Sequence, residues 1–210
     1  MKNKKNFNLN LILSILPIIV VILIYNNLPE LIPAHFNLSG DINRLGNKIE
    51  IFIVPIMILF IGLSSKSEFN HKNPQTILLA LLILNLVVYF QLYESIFYNN
   101  EVYPVNPKKV LAMGISVIMI ILGLIFKKCD INSICGIRIK WTLQDKNNWK
   151  YTHLFSSKLW VILGVMSIPL IIYMDSSYVV SLMIVNIVVA SIVSIYYSYK
   201  LYKRDKSYKQ

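Results

Sequence analysis

Charge is scarce in this chain, and negative charge is scarcer still. Only 15% of its 210 residues are charged, with 10 acidic side chains against 21 lysines and arginines, while 56% are hydrophobic. A soluble domain carries about 25% charged and roughly 45 to 50% apolar residues, so an ordinary water-solvated domain is excluded and lipid must be the main solvent. Cysteine is almost missing: Cys129 and Cys135 are the only two. Two cysteines exclude a disulfide-stapled scaffold, and on the topology below both face the cytoplasm, where thiols stay reduced. Several chemical signatures are also missing. There is no glycine-rich phosphate loop, no HExxH pair on a helix and no nucleophile beside a base. No enzymatic activity, catalytic residue, cofactor or metal is therefore expected.

What is present is apolar sequence in long runs. Six stand out, at about 9–26, 50–64, 76–98, 109–126, 158–174 and 177–199. A helix needs roughly 17 to 25 residues to cross the hydrocarbon core, and unbroken apolar runs without alternation argue for helices over a barrel. The reading is an all-α membrane protein of six transmembrane helices, the second of them short. The basic start and apolar run of residues 1–25 resemble a signal peptide, but no small-x-small cleavage site follows Tyr25, so the run reads as a retained first helix. Pro17, Pro55 and Pro169 fall inside spans one, two and five, where each is expected to kink its helix.

Orientation follows from the basic residues between the runs, because positive loops stay in the cytoplasm. With the N-terminus inside, 17 lysines and arginines lie inside and four, Arg44, Lys48, Lys108 and Lys109, lie outside. Both termini are thus expected inside, and the net charge of +11 serves topology, with no direct binding of nucleic acid.

The connection between spans one and two, residues 28–48, reads LPELIPAHFNLSGDINRLGNK. It is long for a bundle and so a candidate for function. Pro29 and Pro33 prevent a regular helix, Ser39-Gly40-Asp41 is turn chemistry, and Phe36, Leu38, Ile42 and Leu45 supply apolar contacts. His35, near Glu30 and Asp41, has three open readings: a structural hydrogen bond, a metal ligand, or toxin or proton chemistry. His71 and His153 fall on the opposite face, which removes a three-histidine zinc site. Glu94, near the outer end of span three, either snorkels to the interface beside Tyr93 and Tyr98 or marks a polar pathway. Asn85 and Asn186 read as interhelical hydrogen-bonding residues, and Asp175 as a turn residue.

A second stretch, 136–160, reads GIRIKWTLQDKNNWKYTHLFSSKLW and lies inside. Thr142 and Asp145 give a capping signal for a helix starting near Asp145. Trp149, His153, Ser156 and Trp160 share one helical face, with Lys146, Lys150 and Ser157 set opposite. Such a helix could lie on an anionic inner leaflet, or present a surface to a cytosolic partner.

These two stretches carry a resemblance to the SdpI family of bacterial membrane proteins. The outer one is similar to the family's small opening domain through Leu28, Pro29, Ile32, Pro33, His35, Phe36, Gly40 and Asp41. The inner one resembles the family's second signature through Gly136, Ile137, Arg138, Trp141, Thr142, Leu143, Asn148, Trp149, Thr152, His153, Leu159 and Trp160. One departure is Ile139-Lys140, where family members usually carry Thr-Pro. The two motifs divide the chain into residues 1–64, with the outer loop, and an SdpI-like remainder, 65–210, in one membrane unit. The resemblance implies a multi-pass protein of the bacterial cytoplasmic membrane that confers immunity to a secreted antimicrobial peptide toxin. It also implies a signalling role in which a cytosolic transcriptional repressor is sequestered. The alternative from the residues is a small transporter or membrane enzyme with a pathway near Glu94.

Overall fold

The computed structural model describes residues 2–64, 74–98, 103–131 and 135–207. His71, Lys66 and Lys72 lie outside these residues. The chain is mostly helical: α1 (Lys2–Ile24), α2 (Ile53–Leu63), α3 (Pro74–Phe97), α4 (Pro107–Phe126), α5 (Lys140–Gln144), α6 (Lys146–Tyr173) and α7 (Ser176–Ser207). Five stretches are long and apolar enough to cross a membrane: Leu9–Asn27, Gln75–Phe97, Pro107–Phe126, Lys146–Tyr173 and Ser176–Arg204.

The fold divides into two compact units. The first comprises residues 1–114 with 175–180, the second 115–174 with 181–210.

In the first unit the connection after α1 is a β-hairpin, which the all-helical expectation did not contain. Strand β1 (Leu31–Phe36) pairs antiparallel with β2 (Ile42–Asn47), in register Leu31 to Asn47 and Ile32 to Gly46, with irregular register around His35. Pro33 bars a helix, and as one strand of a two-stranded ribbon β1 has an open side where a missing N–H costs nothing. Beneath the hairpin, Val21 of α1, Ile32, Ile51, Ile58 of α2, and Leu81, Val88 and Leu92 of α3 form one buried apolar cluster. Burying each such side chain is worth about 1.5–3 kcal/mol where water is the alternative, as it is for Ile32 on the hairpin.

Helix α2 spans 11 residues, about 16 Å at 1.5 Å per residue. A five-residue 3-10 turn, Lys48–Phe52, leads into it. It packs antiparallel to α1: Phe52 meets Tyr25 at a tilt of 46° with ring centroids 5.2 Å apart, and a Cβ on Gly62 would run into the Ser14 hydroxyl. Pro55 sits in the first turn of α2, where an N–H has no intrahelical acceptor, so it removes no helical bond. The expected kink at Pro55 is therefore absent, whereas Pro17 and Pro169 are interior to α1 and α6.

In the second unit α4 and α6 approach through small residues. A Cβ on Gly123 would lie 2.8 Å from the Ser157 carbonyl, and one on Gly164 would lie 3.0 Å from the Ser116 carbonyl. Lipid gives helices no hydrophobic reason to associate, so close backbone packing of this kind supplies the attraction. Between α6 and α7, Asn186 donates to the Ser167 hydroxyl at 2.8 Å, and Phe155 stacks on Tyr197 at 4.1 Å.

Candidate functional site

The hairpin tip is built by Asn37, a residue the sequence reading passed over. Its side-chain oxygen accepts from the N–H groups of Ser39 and Asp41, each at 2.9 Å. Gly40 takes φ of +81° there, against Lys108, Leu111 and Val180, a conformation that glycine alone adopts freely. Asp41 pairs with Lys108 at 2.6 Å, and that bond, with a second from Asn37, holds its carboxyl below the usual carboxylate range. At the hairpin's base Arg44 pairs with Glu50, and Lys48 with Glu30, each at 2.7 Å.

His35 is exposed and its Nδ1 lies 2.6 Å from the Asn43 side-chain oxygen. An amide oxygen can only accept, so Nδ1 carries a proton. Phe36 is half-buried against Phe90, ring centroids 5.0 Å apart. Leu38 projects from the tip, 85% exposed, and Leu31, Ile49 and Ile53 are exposed as well. Asn43 gave no sequence signal as the partner of His35, because it reads as one more polar loop residue.

Glu94 does not snorkel. Only 2% of it is exposed, and it accepts a hydrogen bond of 2.9 Å from Tyr103, not from Tyr93 or Tyr98. Burial, then the Glu94 carboxylate, push the Tyr103 hydroxyl above its ordinary value. Tyr93 instead bonds the Val105 backbone, donating to its carbonyl and accepting from its N–H. Asn85 donates across to the Leu13 carbonyl of α1 at 3.0 Å.

In the second unit the 136–160 segment folds inward. Asp145 caps α6 by accepting from the N–H groups of Asn147 and Asn148. Four residues of the inner motif then form a frame. His153 is 2% exposed. Its Nδ1 donates to the Trp149 carbonyl at 2.7 Å, and its Nε2 accepts from the Ile137 N–H at 2.9 Å. One nitrogen faces an acceptor and the other a donor, so the ring is neutral with its proton on Nδ1.

Trp149 stacks on that ring, centroids 4.0 Å apart and planes inclined by 24°, and donates its indole N–H to the Cys129 carbonyl at 2.9 Å. Gly136 takes φ of +130°, and a Cβ there would come within 2.5 Å of His153 Nε2. Phe126 meets both His153 and Trp160 edge to face.

The remaining signature residues act nearby. Thr142 donates to the Ile137 or Ile139 carbonyl and accepts from the Ile139 N–H, so its hydroxyl closes the turn into α5. Asn148 donates to the Ser198 carbonyl and accepts from Thr152 and Ser198, joining α6 to α7. Trp141 packs between Tyr199 and Tyr202. Arg138 is exposed and reaches the Ile131 carbonyl at 3.2 Å.

Ser157, which the helical pattern set with the lysines, is buried beside Ser156, whereas Lys146 and Lys150 are exposed. Its position eight residues after Trp149 brings it about 80° round the helix, back toward the same face. Trp149, Trp160 and His153 thus form interior structure and not a membrane-lying face.

Comparison with known proteins adds to this geometry. Residues 128–198 match the SdpI/YfhL protein family, and residues 12–59 match a domain of unknown function, DUF1648. The first match contains most of the His153 frame, and the second contains the hairpin. Over 206 residues the chain is 29% identical to the immunity protein SdpI of Bacillus subtilis (strain 168), covering 96% of this chain and 97% of that one. No solved structure matches it.

Proposed function

We infer from its place in the SdpI/YfhL protein family, carried by residues 128–198, that this multi-pass protein of the bacterial cytoplasmic membrane confers immunity to a secreted antimicrobial peptide. The observation that carries the reading is the similarity to an immunity protein over 96% of the chain, which takes in both the hairpin and the inner motif. The hairpin is the toxin-binding element. It offers Leu38 and Leu31 as apolar contacts on a ribbon held by fixed polar ties, so binding costs little ordering entropy. His35 with Asn43, Phe36 with Phe90, Gly40, and Asp41 with Lys108 fix its shape.

The chain crosses the membrane six times with both termini inside. Support comes from the 17-to-4 division of basic residues and from α2, whose Gly62 reaches Ser14 and the Asn10 carbonyl near the start of the apolar run of α1. The 3-10 turn and α2 together extend about 26 Å, near the hydrocarbon thickness of about 30 Å.

The test is expression in a sensitive host challenged with a panel of membrane-active peptides. Leu38→Asp and His35→Ala are expected to reach wild-type levels in the membrane and to lose protection. Full protection by both variants would place toxin recognition elsewhere.

A second reading, repressor sequestration, is favoured by the exposed Arg138, Lys140, Lys146 and Lys150 around the inner frame. Lys150→Glu should abolish capture of a cytosolic partner, while Trp149→Ala would act only by unfolding the frame. Transport or membrane enzymology along Glu94 remains the rival from a different class. Proteoliposome flux abolished by Glu94→Gln would establish it.

A further inference from the structure

Two thiols lie side by side in the second unit. Cys129 follows α4 and Cys135 precedes the turn at Gly136. They are the only cysteines in 210 residues, yet both are buried with their sulfurs 2.7 Å apart. A small shift would bring them to the covalent separation of about 2.05 Å. Among the described residues no third His, Cys, Asp or Glu joins them to make a metal-holding group.

The pair also sits on the frame that positions the inner motif, since the Cys129 carbonyl is the acceptor for the Trp149 indole. A cleft of about 470 Å³, walled by Lys127, Lys128, Cys129, Asp130, Lys146 and Trp149, reaches Cys129. Its three lysines are exposed and raise the local concentration of small anions.

We propose that Cys129 and Cys135 form a dithiol–disulfide site, oxidised by an anionic low-molecular-weight disulfide of the glutathione class that enters through this cleft. One protein thiolate attacks a sulfur of the small disulfide, whose S–S bond breaks and releases the first small thiol. The second protein thiolate then attacks the protein-bound sulfur, forming the Cys129–Cys135 bond and releasing the second small thiol. Two protein thiols give up two electrons and two protons, and the small disulfide takes up both as two thiols. The new bond ties the end of α4 to the Gly136 turn and holds the Trp149 acceptor in place.

The full chain, purified in detergent micelles, is incubated with oxidised glutathione, denatured, alkylated and weighed. Both thiols are expected to disappear together, with a mass loss of two hydrogens, a monomer on a non-reducing gel and full reversal by dithiothreitol. Cys129→Ser and Cys135→Ser should each stop with one glutathione attached. Amide exchange across residues 136–153 should slow on oxidation of the wild type and not in either variant. Two attached glutathiones, a disulfide-linked dimer, or two thiols still open to alkylation at excess oxidant would each overturn the proposal. No toxin enters this experiment, so its failure leaves the immunity reading intact.

Discussion

His153 is held as a neutral ring by two opposed partners, and that arrangement makes it the most demanding residue of the inner motif. Replacing it with alanine strands the Ile137 N–H and removes the platform under Trp149. A fully buried unpaired donor costs about 1–3 kcal/mol, and the half-buried Ile137 sets the loss toward the lower end. His153→Ala should therefore lower the unfolding midpoint in micelles and speed exchange at Ile137, and an unchanged midpoint would refute the frame. Gly136→Ala should do similar damage for two reasons, its φ of +130° and the close approach of His153. Single residues such as Trp149 and Asp145 were legible in the sequence because spacing and capping are local signals. Their partners were not. Nothing in a linear chain pairs His35 with Asn43, Glu94 with Tyr103 or Asp41 with Lys108, because those choices depend on which backbone lies opposite.

Elements set the next constraints. The hairpin is tied at its tip by Asp41–Lys108 and at its base by Arg44–Glu50. Both carboxyls titrate below their unfolded values in the folded protein, through the hydrogen bonds of those cations. Their contribution is thus complete above the unfolded values of about 4 and is lost as pH falls through the folded ones. Protection factors of the amides of residues 37–47, which remove the intrinsic pH dependence of exchange, should fall below about pH 4.

For α2 the sensitive position is Gly62. Gly62→Leu drives a side chain into Ser14, so this variant should separate α1 from α2 and reduce the yield of folded protein, as read by size-exclusion profile. Long helices such as α4, α6 and α7 were legible because apolar length alone specifies them. The hairpin was read only as an ordered loop, since its strands are short and interrupted by Pro33. Pro55 was misplaced as a kink because the α-helical start at Ile53 depends on a 3-10 turn that hydropathy does not show.

At the scale of the whole molecule, topology is the property that function depends on most. In a background with Cys129→Ser and Cys135→Ser, a cysteine at Leu38 should react with an impermeant maleimide on intact cells, and one at Lys150 only after permeabilisation. Labelling of both from outside would overturn the six-crossing arrangement. The sequence by itself determined that the chain lives in lipid, that helices cross it, and which two stretches are too elaborate for simple connections. Those follow from hydropathy, helix length and charge, which act residue by residue along the chain. Tertiary structure alone decided that Trp149, His153 and Trp160 turn inward, that Glu94 is buried on Tyr103, and that two cysteines meet. Each of those outcomes depends on packing and hydrogen-bond geometry between residues far apart in sequence, and a buried polar group must take whichever partner the fold brings to it.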